Sequence, residues 1–459
     1  MNEPTITQTV IFPDLFEKPL HATFDQDHAS SDGGAVLLRA AERRYGLIEG
    51  MAECLRDRRQ AGKVQHALRD VLAQRVYGLA CGYPDANDAD LLAEDPIQKL
   101  LLGRDPVTGL RLASQPTISR VENRVPRAAL VAMAHDLATC VIARHATRLR
   151  GRARRITIDL DPTDDPTYGA QQLALFNGHY HNWCYLPLLA FVTFDQEVEQ
   201  YLCAAVLRPG NAPATRGALP VLARMLEVLR LGFPGARFVV RLDGGFATPA
   251  MLDFLDGESG VDYVVAMAEN AVLTRAAAAA MTLARTQSAA TGETAHVYTE
   301  VRYAAGTWAR DRRVVIKAEV VQLAGRTPRD NARFVITTLT RTPRFVYEQV
   351  YCARGDVENR IKELHDGLQL GRTSCTRFWA NQLRVHLTAA AYVLMQELRL
   401  QAAGTACARA QVTRLRERLL KLGAHVVVSV RRLVLHFPTS TVEVAAWRQI
   451  ATALGARAG

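Results

Sequence analysis

Three carboxylates stand where a metal-assisted reaction on a phosphodiester would need them. Asp161 lies in RRITIDLDPT, Asp243 in RFVVRLDGGF and Glu358 in YCARGDVENRIKE. The first two close short β-branched, apolar runs, and the third sits in a helix-like stretch beside Tyr351, Arg354 and Lys362. Carboxylates delivered from two strand ends and one helix can hold a pair of Mg²⁺ ions. Such a pair clamps both the attacking and the leaving oxygen of an in-line phosphoryl displacement.

Each motif has a plainer reading. In ITIDLDPT, alternation puts Ile156, Ile158 and Leu160 on one strand face and Thr157, Asp159 and Asp161 on the other. Neighbouring carboxylates repel unless a cation or a proton neutralises them, although an exposed edge strand with a polar face would show the same pattern. Pro162 and Thr163 end the strand just after Asp161, at the rim, whereas Asp159 sits one pleat deeper as a helper ligand or only a neighbour. The residues alone leave that choice open. Gly244 and Gly245 after Asp243 permit a sharp exit and close approach to a ligand, and they equally suit a simple Asp-Gly turn.

On a helix, Tyr351, Arg354, Glu358, Lys362 and His365 are spaced i, i+3, i+7, i+11 and i+14, which predicts one stripe. One carboxylate, two cations and an aromatic hydroxyl do not make a core face, while a solvated surface with a Glu358–Lys362 ion pair would be the ordinary alternative. Together, in this order, the three motifs are much less easily dismissed. His179 and His181, in FNGHYHNW, are read as surface or packing residues, and Trp183, Trp308 and Trp379 chiefly as packing.

The elements that must position these groups follow from the rhythm of the chain. At 459 residues, two or three domains are expected. Hydrophobic content of 49% and charged content of 22% place the chain among ordinary globular proteins. No segment is uninterrupted enough to span a membrane, and the first ten residues lack the basic-then-apolar pattern of a secretory signal. Residues 1–20 read as a polar arm. The stretch to about residue 150 reads mainly helical, including a helix opening at SQPTISR whose resemblance to a recognition helix is matched by a plain capped-helix reading. GRARR marks a boundary. Beyond it come three strands in succession, ITIDLD, YLPLLAFV and EQYLCAAVLR, then strand–helix alternation through RFVVRLD and DYVVAM. This order predicts an α/β fold with a ribonuclease-H-like mixed sheet. The expected division is a helical DNA-binding region at 1–150, the first part of the core at 151–290, a β-rich insertion at 291–341, the acidic-helix part of the core at 342–400 and a basic unit at 401–459.

Charge points to the partner. The formal net charge is +10, and residues 371–459 hold thirteen Lys and Arg against three Asp and Glu, a surplus equal to that of the whole chain. Fifty of the 56 basic residues are Arg, which suits bidentate phosphate recognition and also reflects what a GC-rich genome would encode. A polyanion, and for this chemistry DNA, is the expected partner. Arg372 and Arg377, in RTSCTRFWANQLR, join Tyr351, Arg354, Lys362 and His365 as candidate phosphate contacts. Eight scattered Cys form no CxxC and no Cys/His cluster, which fits thiols in a reducing cytoplasm.

The motifs resemble a bacterial insertion-sequence transposase of the DDE type, in the superfamily whose third motif reads Tyr-x₂-Arg-x₃-Glu-x₆-Lys. Tyr351, Arg354 and Glu358 fall on that pattern, and His365 stands where the Lys belongs. The likeness is nearest to the insertion-sequence family numbered thirteen-eighty, through SSDGGAVLL, GYPDANDADLL, SQPTISRVENR, DLDPTDDPTYGAQ, LRPGNA, RLDGGF, RGDVENRIKEL and RTSCTRFWANQLR. The resemblance implies Asp161, Asp243 and Glu358 as the catalytic triad, Asp161 being selected by the following Pro162-Thr163, with Asp159 as a possible further ligand. It also implies two Mg²⁺ ions, with Mn²⁺ as substitute. Cleavage at terminal inverted repeats, 3′-OH strand transfer into double-stranded target DNA, a homodimer in a synaptic complex and a nucleoid-associated cytoplasmic protein follow as expectations. A domesticated copy that binds DNA without cutting it is the rival, and a carboxylate-pair glycosidase a remote one.

Overall fold

The computed structural model describes residues 9–457. Its centre is one mixed sheet of eight strands: β1 Arg155–Pro162, β2 Leu188–Phe194, β3 Tyr201–Val206, β4 Arg237–Leu242, β5 Val261–Met267, β6 Ala295–Tyr303, β7 Arg312–Val321 and β8 Arg329–Thr337. The spatial order is β6-β7-β8-β5-β4-β1-β2-β3. β1, β2 and β3 pair antiparallel, whereas β4 runs parallel to both β1 and β5. Parallel neighbours need crossovers, and the helices Ala218–Gly232 before β4 and Pro249–Gly257 before β5 supply them.

The alternation in β1 is realised: Ile156, Ile158 and Leu160 are fully buried in the main core. The strand-rich text at 291–341 does not stand apart as its own sheet. β8 pairs antiparallel with β5, so β6, β7 and β8 widen the central sheet. A second, smaller apolar cluster then joins Val264, Val315 and Val335 on this sheet to Val346 and Tyr347 at the start of the acidic helix. These three strands therefore build a platform for the element that carries Glu358.

That helix departs from the regular one the spacing predicts. Over 343–367 it passes from a short α turn into a π segment (Val346–Tyr351), a 3₁₀ turn (Cys352–Gly355), an α segment (Asp356–Lys362) and a second π segment (Glu363–Gly367). Changes of pitch rotate successive side chains relative to an ideal helix.

The Phe378–Gln401 helix is buried almost throughout and packs between the sheet and the helices Leu68–Cys81 and Arg127–Leu149. It covers the edge strand β3 with side-chain amides. Gln396 Oε1 accepts from Leu202 N–H at 3.1 Å, Gln382 Oε1 accepts from Leu207 N–H at 2.7 Å, and Gln382 Nε2 donates to Ala205 carbonyl at 3.2 Å. An open edge is thereby satisfied and closed to further pairing.

The chain ends also meet. Ala424–Val428 pairs with Leu433–His436 and, on its other side, with Ala29–Ser30. Lys421 reaches Asp32 at 2.7 Å, and a Cβ on Gly34 would fall within the backbone of Leu419. Of the polar arm expected at 1–20, residues 1–8 lie outside the described residues, and Val10–Phe12 pairs with Leu20–Ala22 as a small exposed hairpin. All eight cysteines are free. No single helix among the described residues is long and apolar enough to cross a membrane.

Candidate active site

The two aspartates leave the sheet at adjacent strand ends. β1 and β4 are parallel neighbours with Asp159 opposite Arg241 in register, so Asp161 and Asp243, each two residues further on, emerge side by side. Asp161 retains 13% of its side-chain exposure and Asp243 32%. Asp243 Oδ1 accepts the Gly245 N–H at 2.8 Å and so caps the 3₁₀ turn Gly244–Phe246. Gly245 has a stricter reason than turn propensity: a Cβ there would lie 2.8 Å from the Ala214 Cβ.

Arg354, from the 3₁₀ turn of the acidic helix, enters between them. Its Nη2 stands 2.8 Å from Asp161 Oδ1 and 3.7 Å from Asp243 Oδ2. The contact is a charge contact rather than a well-formed hydrogen bond, because Arg354 Nε and Nη2 are both buried without an aligned acceptor. Burial pushes the Asp161 carboxyl up to about 7; Arg354 opposes this, and the Asp243, Asp159 and Glu358 carboxylates add to it. Glu358 is therefore within electrostatic reach of Asp161, although its own side chain, like that of Lys362, is exposed to solvent.

The other predicted residues separate into distinct roles. Tyr351 is half-buried with its ring 5.5 Å from that of Tyr347, and burial raises its phenol above the ordinary value. Lys362 is exposed, whereas His365 is partly buried. Its Nε2 lies 3.0 Å from the Thr163 hydroxyl, two residues after Asp161, and burial lowers its pKa. Arg372 grips Asp85 through two hydrogen bonds of 2.8 and 2.5 Å, and Arg377 Nη1 donates to the Asn123 carbonyl at 2.7 Å. Both guanidinium groups, expected to face phosphate, here join the segment after the acidic helix to the N-terminal helical region. His179 and His181 are exposed and belong to no metal-binding cluster among the described residues.

Asp159, left open by the sequence between helper ligand and neighbour, lies below the rim. It is fully buried, and both of its oxygens accept from Arg241, Nε to Oδ1 and Nη2 to Oδ2, each at 2.7 Å. Both oxygens of that carboxylate are engaged within the sheet, one pleat below the rim where Asp161 stands. The signal for the pair was present as a charged residue inside the apolar run RFVVRLD, on the same strand face as Asp243.

Two further residues escaped the sequence reading. Arg208, from LRPGNA, is 3% exposed and ties the loop beside Asp243 together: its Nε donates to Leu186 carbonyl and its Nη1 to Ala214 carbonyl, both at 2.8 Å. Burial lowers its pKa to about 10. Tyr180 lies in the turn between Leu175–Asn177 and Asn182–Tyr185, within electrostatic reach of the carboxylates. Burial raises its phenol, helped by the Asp164, Asp161 and Asp243 charges. Neither has a spacing signal, because each reaches the site from a loop.

Among the described residues, no three His, Cys, Asp or Glu side chains stand together closely enough to hold a metal ion. The donor chemistry nevertheless fits one. Asp161 carries the burden of burial and of neighbouring like charge, which a divalent cation would relieve, and Arg354 supplies the positive charge in its place.

The family described as "Transposase DDE domain group 1" matches residues 12–457. No curated protein matches the chain.

Proposed function

The chain belongs to the transposase DDE domain family, and on that premise we propose that it cuts DNA at the terminal inverted repeats of an insertion sequence and joins the freed 3′-OH to target DNA. The observation that carries this reading is the convergence of Asp161 and Asp243, from adjacent parallel strand ends, on Arg354, with Glu358 in electrostatic range. The strand order β3-β2-β1-β4-β5, antiparallel on one side of β1 and parallel on the other, supports a ribonuclease-H-like core within the wider sheet.

Asp161, Asp243 and Glu358 would hold the divalent ions, Mg²⁺ or Mn²⁺. Two such ions, when bound, lower the pKa of the attacking hydroxyl and stabilise the departing 3′ oxygen. In hydrolysis a water oxygen attacks phosphorus and the P–O3′ bond breaks. In strand transfer the new 3′-OH attacks a target phosphorus and displaces its 3′ oxygen. The protein's own groups orient the phosphate. Arg354 is the nearest guanidinium, and Tyr351 and Lys362 flank it on the same irregular helix, as binding groups rather than proton carriers. Arg372 and Arg377 would turn to phosphate only by giving up Asp85 and Asn123. His365 acts here through Thr163 rather than as a replacement cation. The helical region at 1–150 would read the repeats, the basic residues at 401–459 would add phosphate contacts, and two copies would pair the element ends.

The test is purified protein with Mg²⁺ and a labelled duplex carrying the ends of the element that encodes it. Asp161→Ala, Asp243→Ala and Glu358→Ala are each expected to bind that duplex and leave it uncut. Binding without nicking by the unaltered protein, or undiminished nicking by any of the three variants, would overturn the reading.

A further inference from the structure

We propose that Asp159 and Arg241 are positioning residues for the acidic triad: one buried ion pair fixes the relative placement of all three elements that carry it. Arg241 uses all three guanidinium nitrogens. Nε and Nη2 take the two oxygens of Asp159, and Nη1 donates to the Val350 carbonyl at 3.1 Å. Asp159 is on β1, two residues below Asp161. Arg241 is on β4, two residues below Asp243. Val350 is in the π segment of the acidic helix, four residues before Arg354 and eight before Glu358.

The geometry explains why a charged pair occupies this layer. Strand–strand hydrogen bonds set the spacing of Asp161 and Asp243 but place no constraint on a helix lying across the sheet. The apolar cluster around Val346 and Tyr347 presses that helix onto the sheet through non-directional contacts, and one further directional tie comes from β6, where the Tyr298 hydroxyl donates to Glu348 at 2.9 Å. A guanidinium in a fixed fork is directional in three places at once. With Asp159 held at one end and the Val350 carbonyl at the other, the helix is pinned one turn before the point where Arg354 leaves it. The irregular pitch on either side then delivers Arg354 and Glu358 to the strand ends.

Two variants separate positioning from stability. Arg241→Lys keeps a buried positive charge opposite Asp159, but one ammonium cannot span both carboxylate oxygens and Val350. Asp159→Leu/Arg241→Met removes the pair without stranding a charge, a change that buried ion pairs commonly tolerate. In the full chain, hydrogen exchange of amides at 346–358 is expected to quicken by about tenfold, the worth of one charge-assisted hydrogen bond, while the Phe378–Gln401 helix keeps its protection. Because the kinetic expectation rests on the transposase reading, it is measured separately. There kcat for repeat-end cleavage falls about 10- to 100-fold with little change in KM for DNA, and the Mn²⁺ concentration for half-maximal rate rises. A folded double variant whose 346–358 amides exchange as in the unaltered protein would overturn the proposal. If the unaltered protein cuts no DNA, the transposase reading fails by itself, and the exchange pattern still decides the role of the pair.

Discussion

Two arginine–aspartate contacts lie one pleat apart along the same two strands, the deeper one between the strands themselves and the outer one with an arginine from the acidic helix, and they differ in nearly every physical respect. In the lower layer, Asp159 and Arg241 are buried, meet at 2.7 Å through two parallel hydrogen bonds, and have a third donor committed to Val350. In the rim layer, Arg354 touches Asp161 and Asp243 at 2.8 and 3.7 Å without aligned hydrogen bonds, and only Asp243 of the three keeps substantial exposure. A satisfied bidentate pair in low dielectric is hard to separate, because each partner would be left as an uncompensated buried charge. A misaligned guanidinium between two carboxylates is held by charge alone, and any cation or phosphate that offers better geometry can compete for it. The lower layer is built to persist and the rim layer to exchange partners.

That contrast can be broken from either side. The largest effect on stability is expected from stranding a charge in the lower layer: Asp159→Ala should cost about 3–5 kcal/mol, read by chemical denaturation, and the double change Asp159→Leu/Arg241→Met should restore most of it. If the single change is as mild as the double one, the pair is not the buried unit described above. The largest effect on chemistry should come from the rim instead. Asp161→Ala and Asp243→Ala are expected to lower cleavage by about 10³-fold, equivalent to about 4 kcal/mol of barrier, with no loss of melting temperature.

Arg354 sharpens the comparison further. Replacing it by Gln removes the internal cation, so Mn²⁺ titrated calorimetrically without DNA should bind about tenfold more tightly, whereas the unaltered protein should reach comparable affinity only with a phosphate-bearing duplex present. Equal Mn²⁺ affinity in both proteins would show that the guanidinium is no obstacle. The smallest effect concerns pH. The folded state holds the Asp161 proton up to about 7, above the ordinary 3.8, so it binds more protons than the unfolded chain between those values. Stability from this group is thus greatest at low pH and falls as pH rises from about 4 to about 7. Asp161→Asn should abolish its part of that slope, read as a flatter dependence of melting temperature on pH across the window. The slope will not vanish, because Asp165, also buried and raised to about 7, titrates in the same range.

Much of this architecture was legible. Period-two alternation placed β1 and its two aspartates on one face, and the apolar run before Asp243 announced β4. The spacing of Tyr351, Arg354, Glu358, Lys362 and His365 pointed to a helix over this stretch, but not to its pitch. The π and 3₁₀ segments interrupt the regular helix, and within it His365 turns toward Thr163. Arg372 and Arg377 look like phosphate ligands on charge alone, yet their partners Asp85 and Asn123 lie more than two hundred residues away along the chain.

The sequence by itself determined which side chains could do the chemistry and which strand ends carry the two aspartates, since alternation, turn residues and charge act over a few neighbours. Tertiary structure decided which carboxylate is locked and which is available. That depends on where Arg241 and Arg354 come to rest, and a guanidinium selects its acceptor by burial and approach angle, neither of which exists before the helix is laid across the sheet.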